Sequence, residues 1–211
     1  MVTTVNLEID GKRVTAEKGS TILKAAIDAG IDIPTLCHND KLAAYGACRL
    51  CSVEVENKGR SSVAVACGYP VEEGIKVKTR SPRIDKIRKV ILELIAPTLE
   101  GPGMATIKAL ASEYGADVRR FVPRYKAKPT RCILCGKCVR YCAEVVGRNA
   151  IGFVGRGIER RVVFFPDRAS GYCATCQQCF PVCPTGKIGS ETTGDTFTGF
   201  CIDDYISGKM A

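Results

Sequence analysis

The sequence predicts an α+β chain in which two cysteine-bearing modules flank a helical connector, and three observations predict it. Short runs near the start alternate apolar with polar residues, the spacing of strands. Apolar residues in the middle recur at helical spacing, and twelve of the thirteen cysteines fall into three sets of four. The resulting boundaries are 1–80, 81–128 and 129–211.

The first module reads as strand, turn, strand, helix. Val5, Leu7 and Ile9 alternate with polar neighbours, Asp10-Gly11 marks a tight turn, and Val14 with Ala16 continues into a second strand. Ser20 or Thr21 caps a short helix whose apolar stripe is Ile22, Leu23, Ala26 and Ile27, and Gly30 ends it. Pro34 opens the segment carrying Cys37, and residues 52–56, 63–66 and 75–79 read as further strands. A helix crossing such a sheet, with a long cysteine-bearing loop, makes a β-grasp arrangement.

Ser81-Pro82 is a helix start, with proline where its missing N–H costs nothing. Ile84, Ile87, Val90, Ile91, Leu94 and Ile95 supply a stripe up to Pro97; Gly101-Pro102-Gly103 breaks the chain, and a second helix over 104–114 places Ile107, Leu110, Ala111 and Tyr114 on one face. The connector 81–128 holds no cysteine or histidine, so it is a spacer or a docking element. From Pro129 the chain turns rich in Cys, Gly and Pro, with a short strand over 161–165 and a Gly/Thr-rich tail from Ser190.

Cys132, Cys135, Cys138 and Cys142 form C-x2-C-x2-C-x3-C, and Cys173, Cys176, Cys179 and Cys183 repeat it 41 residues on. Three thiolates within seven residues suit one face of a [4Fe–4S] cubane. The competing reading is zinc held by four cysteines, but zinc ribbons pair one C-x2-C with a distant second one. Cys37, Cys48, Cys51 and Cys67 form a looser set, C-x10-C-x2-C-x15-C, whose first gap departs from the plant-type [2Fe–2S] spacing. Only Cys48 and Cys51 are tightly spaced there, which leaves open a Cys67 that is a core thiol.

Composition bounds the function. No apolar run reaches the roughly 18 residues of a membrane span. The start, MVTTVNLEID, lacks the basic and apolar regions of a secretory signal. A reducing, cytoplasmic setting is expected, where tight C-x2-C clusters mean metal and not disulfides. The formal charge of +9 would ordinarily suggest nucleic acid. Three oxidised clusters of about −2 each, thiolates counted, offset most of it. Arg49, Arg131, Lys137 and Arg140 lie among the ligands, where such compensation would act. Neither nucleic-acid binding nor a membrane span is expected.

The paired C-terminal runs resemble two-cluster ferredoxin modules, in which the fourth cysteine of each run serves the other cluster. That resemblance implies one [4Fe–4S] cluster on Cys132, Cys135, Cys138 and Cys183, and a second on Cys173, Cys176, Cys179 and Cys142. Pro184 follows Cys183 as the pattern expects, whereas Ala143 follows Cys142. Ile133, Leu134, Val139, Phe180 and Val182 can supply a dry shell, and Gly136 permits close backbone approach.

The text around the first set, Cys37-His38-Asn39-Asp40 and Gly46-Ala47-Cys48-Arg49-Leu50-Cys51-Ser52-Val53-Glu54-Val55, resembles the [2Fe–2S] domain of a wider family. Its members are the large cluster-bearing subunit of respiratory NADH dehydrogenase, the diaphorase subunits of NAD-linked hydrogenases, and the N-termini of [FeFe]-hydrogenases. Residues 150–157, Ala-Ile-Gly-Phe-Val-Gly-Arg-Gly, extend the likeness. The resemblance implies a β-grasp [2Fe–2S] ferredoxin domain, a helical connector and a C-terminal two-[4Fe–4S] ferredoxin-like domain. It also implies an electron-transfer subunit of an NAD(P)-linked oxidoreductase of the hydrogenase, formate dehydrogenase or electron-bifurcating type. Its partners would be a flavin-bearing, NAD(P)H-reactive subunit and a further catalytic or ferredoxin-reactive one. Relatives commonly carry another [4Fe–4S] centre on one His and three Cys between the two domains; 81–128 has none of these residues.

No flavin or nicotinamide fingerprint is found, so no bond-making chemistry is expected on the chain. Gly186-Lys187 lacks the Ser/Thr and the earlier Gly of a Walker A loop. His38 reads as a polar loop residue or a modulator of the [2Fe–2S] centre, and Cys201 as a packed, unligated thiol. Two other functions fit parts of the pattern: a freestanding, diffusible polyferredoxin and a zinc-stapled nucleic-acid-binding module.

Overall fold

The computed structural model describes residues 3–96, 105–122 and 131–188. They fall into two compact units. Residues 3–38, 44–94 and 110–120 make the first, and 39–43, 95–96, 105–109, 121–122 and 131–188 the second. The Gly101-Pro102-Gly103 break, the module start at Pro129, the tail from Ser190 and Cys201 lie outside the described residues.

In the first unit, β1 (Thr4–Ile9) and β2 (Lys12–Glu17) pair antiparallel around Asp10-Gly11. Both turn residues are left-handed, at φ +50° and +80°, as a two-residue type I′ hairpin requires. Lys58-Gly59, at +50° and +75°, repeats the device between β3 (Ser52–Asn57) and β4 (Arg60–Val65). β5 (Lys76–Lys78) inserts parallel to β1 and antiparallel to β3, giving the order β2-β1-β5-β3-β4. This mixed sheet, spanned by one helix, is the expected β-grasp.

That helix, α1 (Ile22–Asp28), is capped by Thr21, whose Oγ1 accepts from the Lys24 N–H at 3.2 Å. Ser20, the other candidate cap, instead donates its hydroxyl to the Glu17 carbonyl. The helix buries Ile22, Leu23, Ala25 and Ala26 in a core with Leu7, Ile9, Val53, Val55, Ile75 and Val77. Ile27, expected on the apolar stripe, is 50% exposed. It stands about 100° further round the helix than Ala26, past the edge of the buried face.

The next helix, α2 (Pro82–Ile95), starts where Ser81 Oγ accepts from the Ile84 N–H. Its buried face is Ile84, Arg88, Leu92 and Glu93; of the expected stripe Ile84 is fully buried, Ile87, Val90, Ile91 and Ile95 are half-buried, and Leu94 is exposed. The face is rotated because Arg88 and Glu93 both find partners inside the fold. Glu93 accepts from Arg120 Nη1 at 2.6 Å and from the Asp117 N–H at 3.2 Å. Ile107 and Ala111 of α3 (Ala105–Glu113), and Tyr114 just after it, are buried as the spacing predicts.

In the second unit, α4 (Lys137–Arg140) runs directly into a π-helical turn, Tyr141–Val145. β6 (Ile151–Val154) and β7 (Arg161–Phe164) form an antiparallel hairpin, followed by two one-turn helices, α5 (Pro166–Ala169) and α6 (Cys173–Cys176). Ala150, Ile151, Val162, Phe164, Ala169 and Ile188 bury against Cys138, Cys142, Cys173 and Cys179. The apolar core and the thiols are therefore one cluster. Among the described residues, no helix is long and apolar enough to cross a membrane.

Candidate iron–sulfur sites

The β-grasp unit brings its four cysteines together. Cys37 and Cys48 lie on the long loop after α1, Cys51 immediately precedes β3, and Cys67 follows β4. The Ile22 and Leu23 N–H groups at the open start of α1 donate to Tyr69 O and Ala66 O, which fixes the backbone on both sides of Cys67. The Cys48 N–H donates to Cys37 Sγ at 3.4 Å. The Cys37 thiol is pushed up by its hydrogen bond to Cys48 and by burial, while Cys48 as acceptor is pushed down. Cys51 and Cys67 form the same kind of pair, with Cys51 pushed up and Cys67 lowered. Cys67 also raises Cys37, and Cys48 raises Cys51 and Cys67, so the four thiols act as one electrostatic group. Cys67 is a core residue and a member of that group at once.

The two C-terminal runs interleave. Burial raises Cys132, Cys135 (to about 11) and Cys138, and in each case Cys183 adds a like-charge push. Burial likewise raises Cys173 and Cys179 (to about 12), with Cys142 the next cause in both. The fourth cysteine of each run thus sits with the other run's first three. Cys142, Cys173, Cys176 and Cys179 also line one partly open cavity, walled by Ile151, Phe164 and Phe180. Cys179 contributes to the push on Cys138, so the two groups are within electrostatic reach of each other.

Left-handed backbone recurs inside the ligand loops. Arg49 stands at φ +59° between Cys48 and Cys51, Leu134 at +53° and Gly136 at +74° around Cys135, and Gln177 at +46° between Cys176 and Cys179. Alternating right- and left-handed residues turn successive N–H groups toward one concavity, the nest that receives anions. The Leu134 N–H donates to Cys132 Sγ at 3.4 Å, and the Ala150 N–H to Cys142 Sγ at 3.2 Å. The π-helical turn carries Cys142 only four residues after Cys138, yet the two belong to different groups. Such widened turns often re-aim a functional side chain.

The donor chemistry fits iron–sulfur clusters. All twelve described cysteines are free thiols. Buried thiols that raise one another's pKa, walled by apolar side chains and met by N–H groups, suit a polynuclear cation core.

The cations play unequal parts. Lys137 draws Cys135 down, but Arg140 is taken up by Glu144 at 2.8 Å and by the Ala43 carbonyl at 2.6 Å. The Ala43 N–H donates to Glu144 Oε2 in turn, which anchors residues 39–43 within the second unit. Two cations escaped the sequence reading. Lys187, half-buried and pushed down by desolvation, is drawn back up by Cys132 and Cys183. Arg88 is wholly buried behind Cys51. The Gly-Lys context of Lys187 was read only for phosphate binding, and Arg88 falls on a helix where charge reads as a solvated face.

Comparison with known proteins finds cluster-binding families over both cysteine-bearing regions. Residues 2–82 match the 2Fe-2S iron-sulfur cluster binding domain family, and residues 131–187 the 4Fe-4S dicluster domain family. The NADPH-Fe(3+) oxidoreductase subunit alpha of Geobacter sulfurreducens is 40% identical over 206 residues, spanning 89% of this chain and 24% of that protein. The NADH-ubiquinone oxidoreductase 75 kDa subunit of Reclinomonas americana is 33% identical, over 89% of this chain and 29% of its own length. A chain in the crystal structure of NAD+-reducing [NiFe]-hydrogenase in the H2-reduced state matches at 30% identity and a TM-score of 0.65, covering 77% of this chain and 75% of that one. The chain belongs to the family of iron–sulfur subunits of NAD(P)H-linked oxidoreductases. It spans about a quarter of the length of the curated relatives it matches. Both cluster domains are present: the first covers Cys37, Cys48, Cys51 and Cys67, and the second covers both C-terminal runs of four cysteines.

Proposed function

We propose that this chain is the electron-relay subunit of a cytoplasmic, NAD(P)-linked multisubunit oxidoreductase. It would stand between a flavin-bearing subunit that reacts with the nicotinamide and a second redox site on a hydrogenase, formate dehydrogenase or ferredoxin-reactive subunit. Cys37, Cys48, Cys51 and Cys67 hold one [2Fe–2S] cluster. Cys132, Cys135, Cys138 and Cys183 hold one [4Fe–4S] cluster, and Cys173, Cys176, Cys179 and Cys142 the other. The observation that carries the reading is the crosswise grouping of thiols, because interleaved runs are the hallmark of a two-cluster relay.

When bound, the clusters supply one-electron storage at potentials set by their surroundings. The chain's own residues do the rest. Ile151, Phe164 and Phe180 keep water from one thiol group, N–H groups of the left-handed loops meet the sulfurs, and Lys137 and Lys187 place positive charge beside the other. The test is anaerobic purification with metal analysis, EPR and a nicotinamide assay. Expected are about ten iron atoms per chain, one [2Fe–2S] signal beside interacting [4Fe–4S] signals, and reduction by NAD(P)H only when the flavin-bearing subunit is added. A colourless, zinc-loaded protein, or NAD(P)H oxidation by the isolated chain, would overturn the proposal.

A further inference from the structure

Arg88 is the largest fully buried side chain in the described residues, and its recorded partners are all neutral. Nε donates to the Leu50 carbonyl at 3.1 Å, Nη2 to the Ser52 carbonyl at 2.9 Å, and Nη1 to Tyr114 Oη at 2.9 Å. Leu50 and Ser52 are the two residues flanking Cys51. The planar fork of a guanidinium therefore grips the backbone on both sides of one thiol. Ile84, Arg88 and Leu92 stand four residues apart on α2 and are fully buried, so the helix fixes the guanidinium in place.

A guanidinium cannot shed its proton in a protein, and a buried cation requires a nearby anion to offset its lost hydration. No ion pair among the described contacts supplies one to Arg88. The thiolate-bound centre beside it does, since it gains one more negative charge on reduction. The match to the 2Fe-2S domain family ends at residue 82, so this grip comes from the helix that follows the domain.

We propose that Arg88 is a positioning residue and fixed counter-charge for the [2Fe–2S] centre, clamping the Cys51 loop and raising the centre's reduction potential. The inference rests on the ligand assignment of Cys37, Cys48, Cys51 and Cys67. Removing the charge disfavours the reduced, more negative state; keeping the charge without the fork loosens the loop but spares the potential. Tyr114 completes the grip from the other side, its hydroxyl pushed up by burial while Arg88 draws it back down.

The experiment is an EPR-monitored redox titration of the full-length, cluster-loaded chain and its Arg88→Met and Arg88→Lys variants, with amide exchange read over residues 50–53. Arg88→Met should lower the reduced-to-oxidised ratio of the [2Fe–2S] centre at least tenfold at fixed potential, which is about 59 mV for one electron. The [4Fe–4S] signals should not move. Arg88→Lys should hold the ratio within threefold of wild type but speed exchange at 50–53 and alter the [2Fe–2S] line shape. An unmoved ratio in Arg88→Met, or equal losses in the Met and Lys variants, would overturn the counter-charge. Should the Met variant fail to fold, the Lys variant decides alone: wild-type exchange and line shape would overturn the clamp. A Cys51→Ser chain that retains an unaltered [2Fe–2S] signal would refute the ligand assignment instead, a separate outcome.

Discussion

Replacing Cys183 by alanine tests the interleaving of the two C-terminal runs, because the outcome differs by which partner set loses its fourth thiol. Cys183 raises Cys132, Cys135 and Cys138, whereas Cys142 raises Cys173 and Cys179. Cys183→Ala should therefore open the site formed by the first run, and Cys142→Ala the site formed by the second. A [4Fe–4S] site deprived of one thiolate releases up to about four of roughly ten iron atoms, or converts to a three-iron form. Two reference variants calibrate the spectra internally. Cys135→Ala belongs to the first run under either arrangement, and Cys176→Ala to the second. The residual EPR spectrum of Cys183→Ala should superimpose on that of Cys135→Ala, and Cys142→Ala on Cys176→Ala. If Cys183→Ala instead matches Cys176→Ala, each run closes on itself and the interleaving is wrong.

Other perturbations probe the scaffold. Leu92→Ala empties a wholly buried position on α2 and should cost about 2–5 kcal/mol in urea unfolding; a loss under about 1 kcal/mol would contradict the rotated face of α2. Gly155→Ala would put a Cβ 2.6 Å from the Glu159 carbonyl oxygen at a left-handed φ of +71°. Backbone strain and overpacking together should destabilise the β6–β7 hairpin by about 2–4 kcal/mol and lower [4Fe–4S] retention. In the metal-free chain, Cys135 and Cys179 titrate above an ordinary thiol, at about 11 and about 12. The folded apo form thus holds protons that the unfolded chain has released, and its stability should fall as pH rises from about 9 through about 11–12. Urea midpoints between pH 8 and 10.5 should decline for the apo chain; a rising midpoint would reverse the sign of the burial effect.

The sheet was legible because alternation and turn chemistry are local. Asp10-Gly11 announced its hairpin, and Thr21 was one of two candidate caps, separated only by which hydroxyl faced the Lys24 N–H. Cysteine spacing exposed the three sets of four, but the convergence of Cys67 on Cys51 depends on how β4 returns beside β3. The face of α2 was not legible: Ile87, Val90 and Leu94 look like a core stripe until partners appear for Arg88 and Glu93. Those partners lie on Leu50, Ser52, Tyr114, Asp117 and Arg120, distant in sequence. Left-handed Arg49, Leu134 and Gln177 were equally hidden, since nothing but the closed loop imposes that backbone on a residue with a side chain.

With the last thiol of each run seated among the first three of the other, the set on Cys142, Cys173, Cys176 and Cys179 is complete only once synthesis passes residue 179, and the set on Cys132, Cys135 and Cys138 only once it passes residue 183. Cys142 emerges early and waits for Cys173, while Cys132, Cys135 and Cys138 wait for Cys183. Both sets therefore close late and within four residues of each other: a chain ending before residue 179 completes neither, and one ending between 179 and 183 completes only the second.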